Sequence, residues 1–397
     1  MIPDPFEGAQ PVLGDRSLFP DVADVYLGWA AIAPPSLLVR QQVEAFMASY
    51  ARGGLQGFGQ WLPQRARFKE RAAALIGAEP IDLALCQSTT QGIIALARSI
   101  DWRAGDRVVV FDGEFPANVT PWQRVAADFD LELVSVPLAP FARSHEEGLT
   151  TLEAALAPGV RMVAVSAVQF QSGLRMPVPA IAERVHRAGG ELFVDAIQAL
   201  GVGPVDVARG TERAIDYLAT GGHKWLGGLE GSGFVYIAPE RVEALRPSMA
   251  GWLSHEGALD FLLEGSGHLR YDRSVRRQAD FLEPGAQSQI GFAALEAGLV
   301  PPTVLGPEAI HAHVQVLHDA YEPLFVERGY RSLRATEPAA RSAILSFEPP
   351  PDHDVVTLQK TLREAGIVAA IPDGMLRLAP HWCNSLDEVP RIERALR

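Results

Sequence analysis

Between residues 83 and 237 the chain repeatedly returns to short, almost wholly apolar runs, each the length of a single strand and most of them separated by stretches with helical spacing. No other feature limits the fold as much, because a strand without a polar face must be covered on both sides, and the connections between such strands supply the covering helices. The runs fall at residues 83–86, 107–111, 131–136, 162–166, 192–194 and 234–237. Residues 177–189 show how a connection is built: Pro-Val-Pro opens it, Ile181 and Val185 recur at helical spacing, and Gly189 closes it. The expected fold class is therefore α/β, a mostly parallel doubly wound sheet. After Arg246-Pro-Ser-Met249 the character shifts to loops and a helix-rich tail. We expect an N-terminal arm over 1–20, a large domain over 21–289 and a smaller C-terminal α+β domain over 290–397. A chain of 397 residues is long enough for two such cores.

The chemistry is concentrated around one of only three lysines, Lys69, Lys224 and Lys360. Lys224 ends the segment Tyr217-Leu-Ala-Thr-Gly-Gly-His-Lys, and Asp195 ends the apolar run that begins at Glu191. Carboxyl ends of strands in an open α/β sheet are where ligands bind. A lysine amine can form a Schiff base with a cofactor aldehyde, while an upstream carboxylate keeps a pyridine nitrogen protonated so that the ring withdraws electrons. This spacing marks a pyridoxal 5′-phosphate (PLP) site, and the glycines on both sides of His223-Lys224 leave backbone room for a flat ring and a phosphate. Upstream, Gln87-Ser-Thr-Thr-Gln-Gly follows a strand and opens a helix, where free N–H groups and the helix dipole attract an anion.

Taken together these blocks resemble the class V aminotransferase family of fold-type I PLP enzymes, which includes cysteine desulfurases, selenocysteine lyases, kynureninases and isopenicillin epimerase-like proteins. The resemblance runs along nearly the whole chain. It implies a large PLP-binding domain with Lys224 as Schiff-base lysine, Asp195 as pyridinium partner, Gln198 as donor to the ring hydroxyl and His223 as phosphate contact or proton carrier. Thr89 and Thr90 would hold the phosphate, with Thr220 a further cofactor contact. Phe115, in Glu114-Phe-Pro-Ala-Asn118, would cover the ring face, and Arg377 would clamp the substrate carboxylate with its guanidinium fork. Among Gln169, Phe170 and Gln171 the sequence does not decide which contacts substrate or ring.

Three departures qualify the resemblance. Cysteine desulfurases carry a nucleophilic cysteine on a loop before the carboxylate arginine, whereas residues 365–375 here are short and contain none, which argues against persulfide relay. A hydroxyl residue three before the lysine is replaced by Gly221. The family's Glu-x-Gly-Thr block, whose threonine reaches the neighbouring subunit, reads Glu283-Pro-Gly-Ala286.

The net charge of −13 argues against a nucleic-acid or anionic-membrane partner, and no metal site is expected. Two cysteines and the polar start Met-Ile-Pro-Asp-Pro lead us to expect a cytoplasmic protein without a disulfide framework. The expectation is a homodimeric PLP enzyme acting at Cα or Cβ of a small amino-acid-like substrate. A C–S lyase-type β-elimination leads, amino transfer, epimerisation and kynureninase-type C–C cleavage are alternatives, and a catalytically silent PLP-binding regulator is the reading from another class.

Overall fold

A computed structural model describes residues 5–6, 8–209 and 212–397. A seven-stranded sheet runs in the spatial order Leu83–Cys86, Gly233–Ile237, Tyr217–Gly221, Glu191–Asp195, Met162–Ser166, Arg107–Phe111, Glu132–Val136. Only Gly233–Ile237 is antiparallel to its neighbours. Side chains of a strand alternate between faces, and both faces are buried here. Val109, Phe111, Val163 and Val165 enter one core layer, while Val108, Val110, Met162 and Ala164 enter the other. The six expected strands are all present, and the expected helix spans Val178–Arg187.

The seventh strand, Tyr217–Gly221, was not foreseen as a strand. Its Thr-Gly-Gly ending suggests a loop, because glycine is a poor strand former. Close approach explains it: a Cβ on the cross-strand Gly233 would lie 2.3 Å from the Thr220 carbonyl oxygen, so the pair accepts glycine there.

The C-terminal part adds a three-stranded antiparallel sheet of Arg331–Ser332, Leu345–Glu348 and Leu376–Leu378. The tail is thus helix and sheet together. An N-terminal segment joins it: Val25–Tyr26 pairs in parallel with Ile367–Val368, and Asn384 Nδ2 donates to the Tyr26 carbonyl at 3.1 Å. Phe19, within the stretch set apart as an arm, is 5% exposed and packs edge-on against Trp29. The helix Gln289–Gly298 lies against the helices Leu37–Gly53 and Phe58–Ile76.

The edge strand Leu83–Cys86 is closed by side chains. Glu283 Oε1 accepts from the Leu85 N–H at 2.9 Å, Gln287 Nε2 donates to the Leu85 carbonyl at 3.0 Å, and Lys69 and Arg65 both pair with Glu283. Among the described residues no single helix is long and apolar enough to cross a membrane.

Candidate active site

The carboxyl ends of the central strands open into a cavity of about 400 Å³. Register places Ser166 beside Asp195, and Asp195 beside Ala219. Asp195 is 3% exposed, and one oxygen accepts from the Ile197 N–H at 3.0 Å. Burial drives its carboxyl above the ordinary range and nearby Glu114 adds to this, while Lys224 opposes the shift.

At one wall the helix Thr89–Ser99 begins, with Ser88 as N-cap accepting from the Gln91 N–H at 3.1 Å. Thr89 is buried and its hydroxyl has no hydrogen-bond partner. A Cβ on Gly221 would lie 3.1 Å from that hydroxyl and 3.2 Å from His223 Nδ1. Thr90, although exposed, also lines the cavity, as does His223.

Lys224 Nζ lies 5.7 Å from the centre of the Phe115 ring. Burial lowers its amine below the usual lysine range and Arg377 adds to that, with Asp195 pulling the other way, so the free-amine form is favoured relative to a surface lysine. Phe115 meets Phe170 edge to face, with ring centres 5.2 Å apart. Arg377 comes from the C-terminal strand Leu376–Leu378 and is 5% exposed; its Nη1 donates to the Phe170 carbonyl at 2.7 Å, while Nε has no partner. Burial pulls its guanidinium down to about 10. Gln198 is already engaged at both ends, donating to the Ala30 carbonyl at 3.0 Å and accepting from the Trp225 indole at 2.9 Å; one amide N–H remains.

Of the residues given a definite site role in the sequence, Thr220 alone stays outside the cavity wall. It alternates with Gly221, which faces Thr89, so its side chain lies on the other sheet face, where its hydroxyl donates to the Gly221 carbonyl at 3.3 Å. Among the open trio, Phe170 lines the cavity. Gln169 turns to Glu114 at 3.0 Å and Gln171 to Asp373 at 3.2 Å. Sequence reasoning passed over Ala30 and Ala31, which reach the wall from the N-terminal segment and bear no chemical signal, and Glu114, which had been quoted only as a neighbour of Phe115.

These residues fit PLP. The orphaned Thr89 hydroxyl and the free N–H groups of a helix start suit a phosphate, the buried Asp195 a protonated pyridine nitrogen, and the Lys224 amine an aldehyde.

Comparison with known proteins points the same way. Isopenicillin N epimerase of Streptomyces clavuligerus is 28% identical over 397 residues, covering 96% of each chain. Cysteine desulfurase of Escherichia coli (strain SE11) is 29% identical over 316 residues, 75% of this chain and 72% of that one. The complex between the cystine C–S lyase C-DES and its reaction product cysteine persulfide superposes with a TM-score of 0.80 at 20% identity, covering 94% of this chain and 96% of that one, and shows the fold to be that of the fold-type I PLP enzymes. The family model "Aminotransferase class-V" matches residues 26–371, and the chain accordingly belongs to this family of PLP-dependent enzymes.

Proposed function

We propose that this enzyme breaks a C–S bond at Cβ of a small α-amino acid by elimination, without storing sulfur on a cysteine. The observation that carries the reading is the make-up of the cavity wall, where the described residues include one primary amine, Lys224, one guanidinium, Arg377, and no thiol. Bound PLP supplies an electron-withdrawing ring for the charge left at Cα. Arg377 takes the substrate carboxylate, and Lys224 removes the Cα proton and returns a proton to the departing sulfur. Asp195 holds the ring-nitrogen proton, Phe115 covers the ring face, and Gln198 offers its remaining N–H. Thr89, Thr90 and the helix start take the phosphate with His223 beside them. Overall the substrate loses a Cα proton and a Cβ sulfur, and water converts the remainder to a 2-oxo acid and ammonium.

Cys86 and Cys383 do not line the cavity. Both are buried, and burial pushes the Cys86 thiol up to about 12 and the Cys383 thiol higher than usual, so neither is an available thiolate. We take the working unit to be a homodimer, which is supported by the exposed Leu262 and Leu263 of the short helix Asp260–Leu263 with Leu269 and Tyr271 after it, and by two-fold pairing being the commonest soluble assembly.

Epimerisation is the second reading, favoured by the end-to-end match to an epimerase. One experiment separates the two. The PLP-loaded protein is incubated in D₂O with cystine and a panel of amino acids, and products are identified by mass spectrometry and chiral chromatography. A 2-oxo acid with released sulfur compound is expected. Inverted, Cα-deuterated amino acid without 2-oxo acid would replace elimination by epimerisation.

A further inference from the structure

Trp225 follows Lys224 directly, yet it does not line the cavity and the roles above do not use it. Its indole is buried, and Nε1 donates to Gln198 Oε1 at 2.9 Å. The other end of the Gln198 amide, Nε2, donates to the Ala30 carbonyl at 3.0 Å. An indole N–H can only donate and a backbone carbonyl can only accept. Turning the amide over would set N–H against N–H at one end and oxygen against oxygen at the other, so the two partners together fix one orientation. Gln198 is itself buried and lines the cavity, and the amide hydrogen left without a partner is its second N–H.

Trp225 is held in turn by the C-terminal part. His381, also buried, lies edge-on to the Trp225 ring with centres 5.4 Å apart, and its Nε2 is 2.9 Å from the Trp225 carbonyl oxygen. A carbonyl accepts, so Nε2 carries the hydrogen and donates. The main-chain N–H of His381 donates to Asn384 Oδ1 at 2.7 Å, and the Ala33 N–H donates to the His223 carbonyl at 2.8 Å, which keeps the segment bearing Ala30 against the lysine loop. A second tryptophan, Trp29, packs edge-on against His381 with centres 4.8 Å apart, but its Nε1 makes no hydrogen bond among the described residues. The two indoles share a neighbour and differ in whether the N–H is used.

We propose that Trp225 is a positioning residue: its indole N–H fixes the Gln198 amide so that an N–H is offered to the PLP ring oxygen, which is thereby met in its ionised form. An amide oxygen in that place would repel such an oxygen, and a freely turning amide would offer the donor only part of the time. The inference rests on the role given above to Gln198 and extends it to a residue outside the cavity. A donor at the ring oxygen also acts on the nitrogen that joins Lys224 to the cofactor. While protonated, that nitrogen neutralises the oxygen; once its proton has left, the oxygen depends on Gln198, so the donor lowers the pH at which the proton leaves.

The pH midpoint of the lysine-bound cofactor's absorbance tests the consequence. Gln198→Ala should raise it by about one unit or more and Trp225→Phe by about half a unit or more, the size expected for losing all or part of one hydrogen bond to a charged group. Trp29→Phe removes a similar indole beside His381 without removing a hydrogen bond, and should keep the midpoint within about 0.2 unit. Asp195, Arg377 and His223, the charged and titratable groups around Lys224, stay in all three variants. A midpoint that rises in Gln198→Ala but not in Trp225→Phe, or that moves equally in both tryptophan variants, overturns the proposal alone. A midpoint unmoved by Gln198→Ala ends the role given to Gln198 and the proposal with it. NMR of the cofactor-free protein carrying isotopically labelled tryptophan tests the hydrogen bond without PLP. Gln198→Ala should shift the one indole N–H resonance that Trp225→Phe deletes, towards the position of an unbonded N–H. If no indole resonance responds to Gln198→Ala, Trp225 does not hold Gln198 and the proposal falls, which decides the matter even where Trp225→Phe fails to fold.

Discussion

Arg377 is a cation kept nearly out of water with one nitrogen on a backbone carbonyl and Nε unpaired, an arrangement that costs stability unless something else needs the charge. A substrate carboxylate is the partner proposed for it. Arg377→Lys keeps the charge but loses the fork, so the affinity for the α-carboxylate should fall by about 1.5–3 kcal/mol, on the order of ten- to a hundredfold in KM, with a smaller change in kcat. Steady-state kinetics with an amino acid and with its decarboxylated amine check this: discrimination between the two should shrink in the variant, and unchanged discrimination would remove Arg377 from the clamp. At this scale the sequence was legible where one residue type and its spacing single out a group, as for Lys224 and Asp195, which the fold brings to one cavity wall. It was not legible where a role depends on partners distant in the chain. Glu114 meets Ser166 and Gln169 52 and 55 positions away, and before folding it looks like any glutamate at a strand end. Thr220 faces away from the cavity, a direction that composition alone does not give for a strand residue.

The segment after Lys224 turns back against the helix Gln289–Gly298, and glycines make the approach possible. A Cβ on Gly298 would stand 2.4 Å from the Leu226 carbonyl oxygen and 2.7 Å from the Gly227 carbonyl carbon, and on Gly222 it would meet Leu295 at 2.7 Å. Helix propensity alone favours alanine over glycine by about 1 kcal/mol. Backbone atoms cannot move aside as a side-chain tip can, so overpacking of about 1–3 kcal/mol should win and Gly298→Ala should lower the melting temperature. PLP titration of the same variant should show weaker binding, since the strained segment carries Lys224. A melting temperature equal to or above wild type would show that the contact is not tight. Apolar runs predicted six strands because their residues face cores on both sides. Tyr217–Gly221 escaped because the glycines demanded by close packing at its end resemble loop glycines, and the strands of the expected C-terminal α+β part were not placed individually because they are as short as Arg331–Ser332.

For the molecule as a whole, buried histidines set the response to acid. His318 is fully buried on the helix Pro307–Val326, and burial, helped by Arg334, lowers its ring to about 3; His381 is lowered to about 3 and His311 to about 4, in each case mainly by burial. Because these folded values lie below the ordinary 6.5, the unfolded chain binds protons first as pH falls. Stability is therefore full above pH 6.5 and is lost on going down towards pH 3, by at most about 1.4 kcal/mol per pH unit for each histidine. Melting temperatures between pH 7.5 and 5.5 should decline, and His318→Leu should decline less steeply; parallel slopes would mean that His318 is not held neutral. The pairing of Val25–Tyr26 with Ile367–Val368 has another consequence, for the order of events during synthesis. The Asn384 to Tyr26 hydrogen bond spans 358 positions, and the strand that bears Arg377 closes the same C-terminal body. A chain leaving the ribosome must therefore hold Val25–Tyr26 unpaired until Ile367–Val368 emerges, some tens of seconds later at ordinary elongation rates, so the apolar Val25 and Leu27 wait exposed and the site stays incomplete until Arg377 follows.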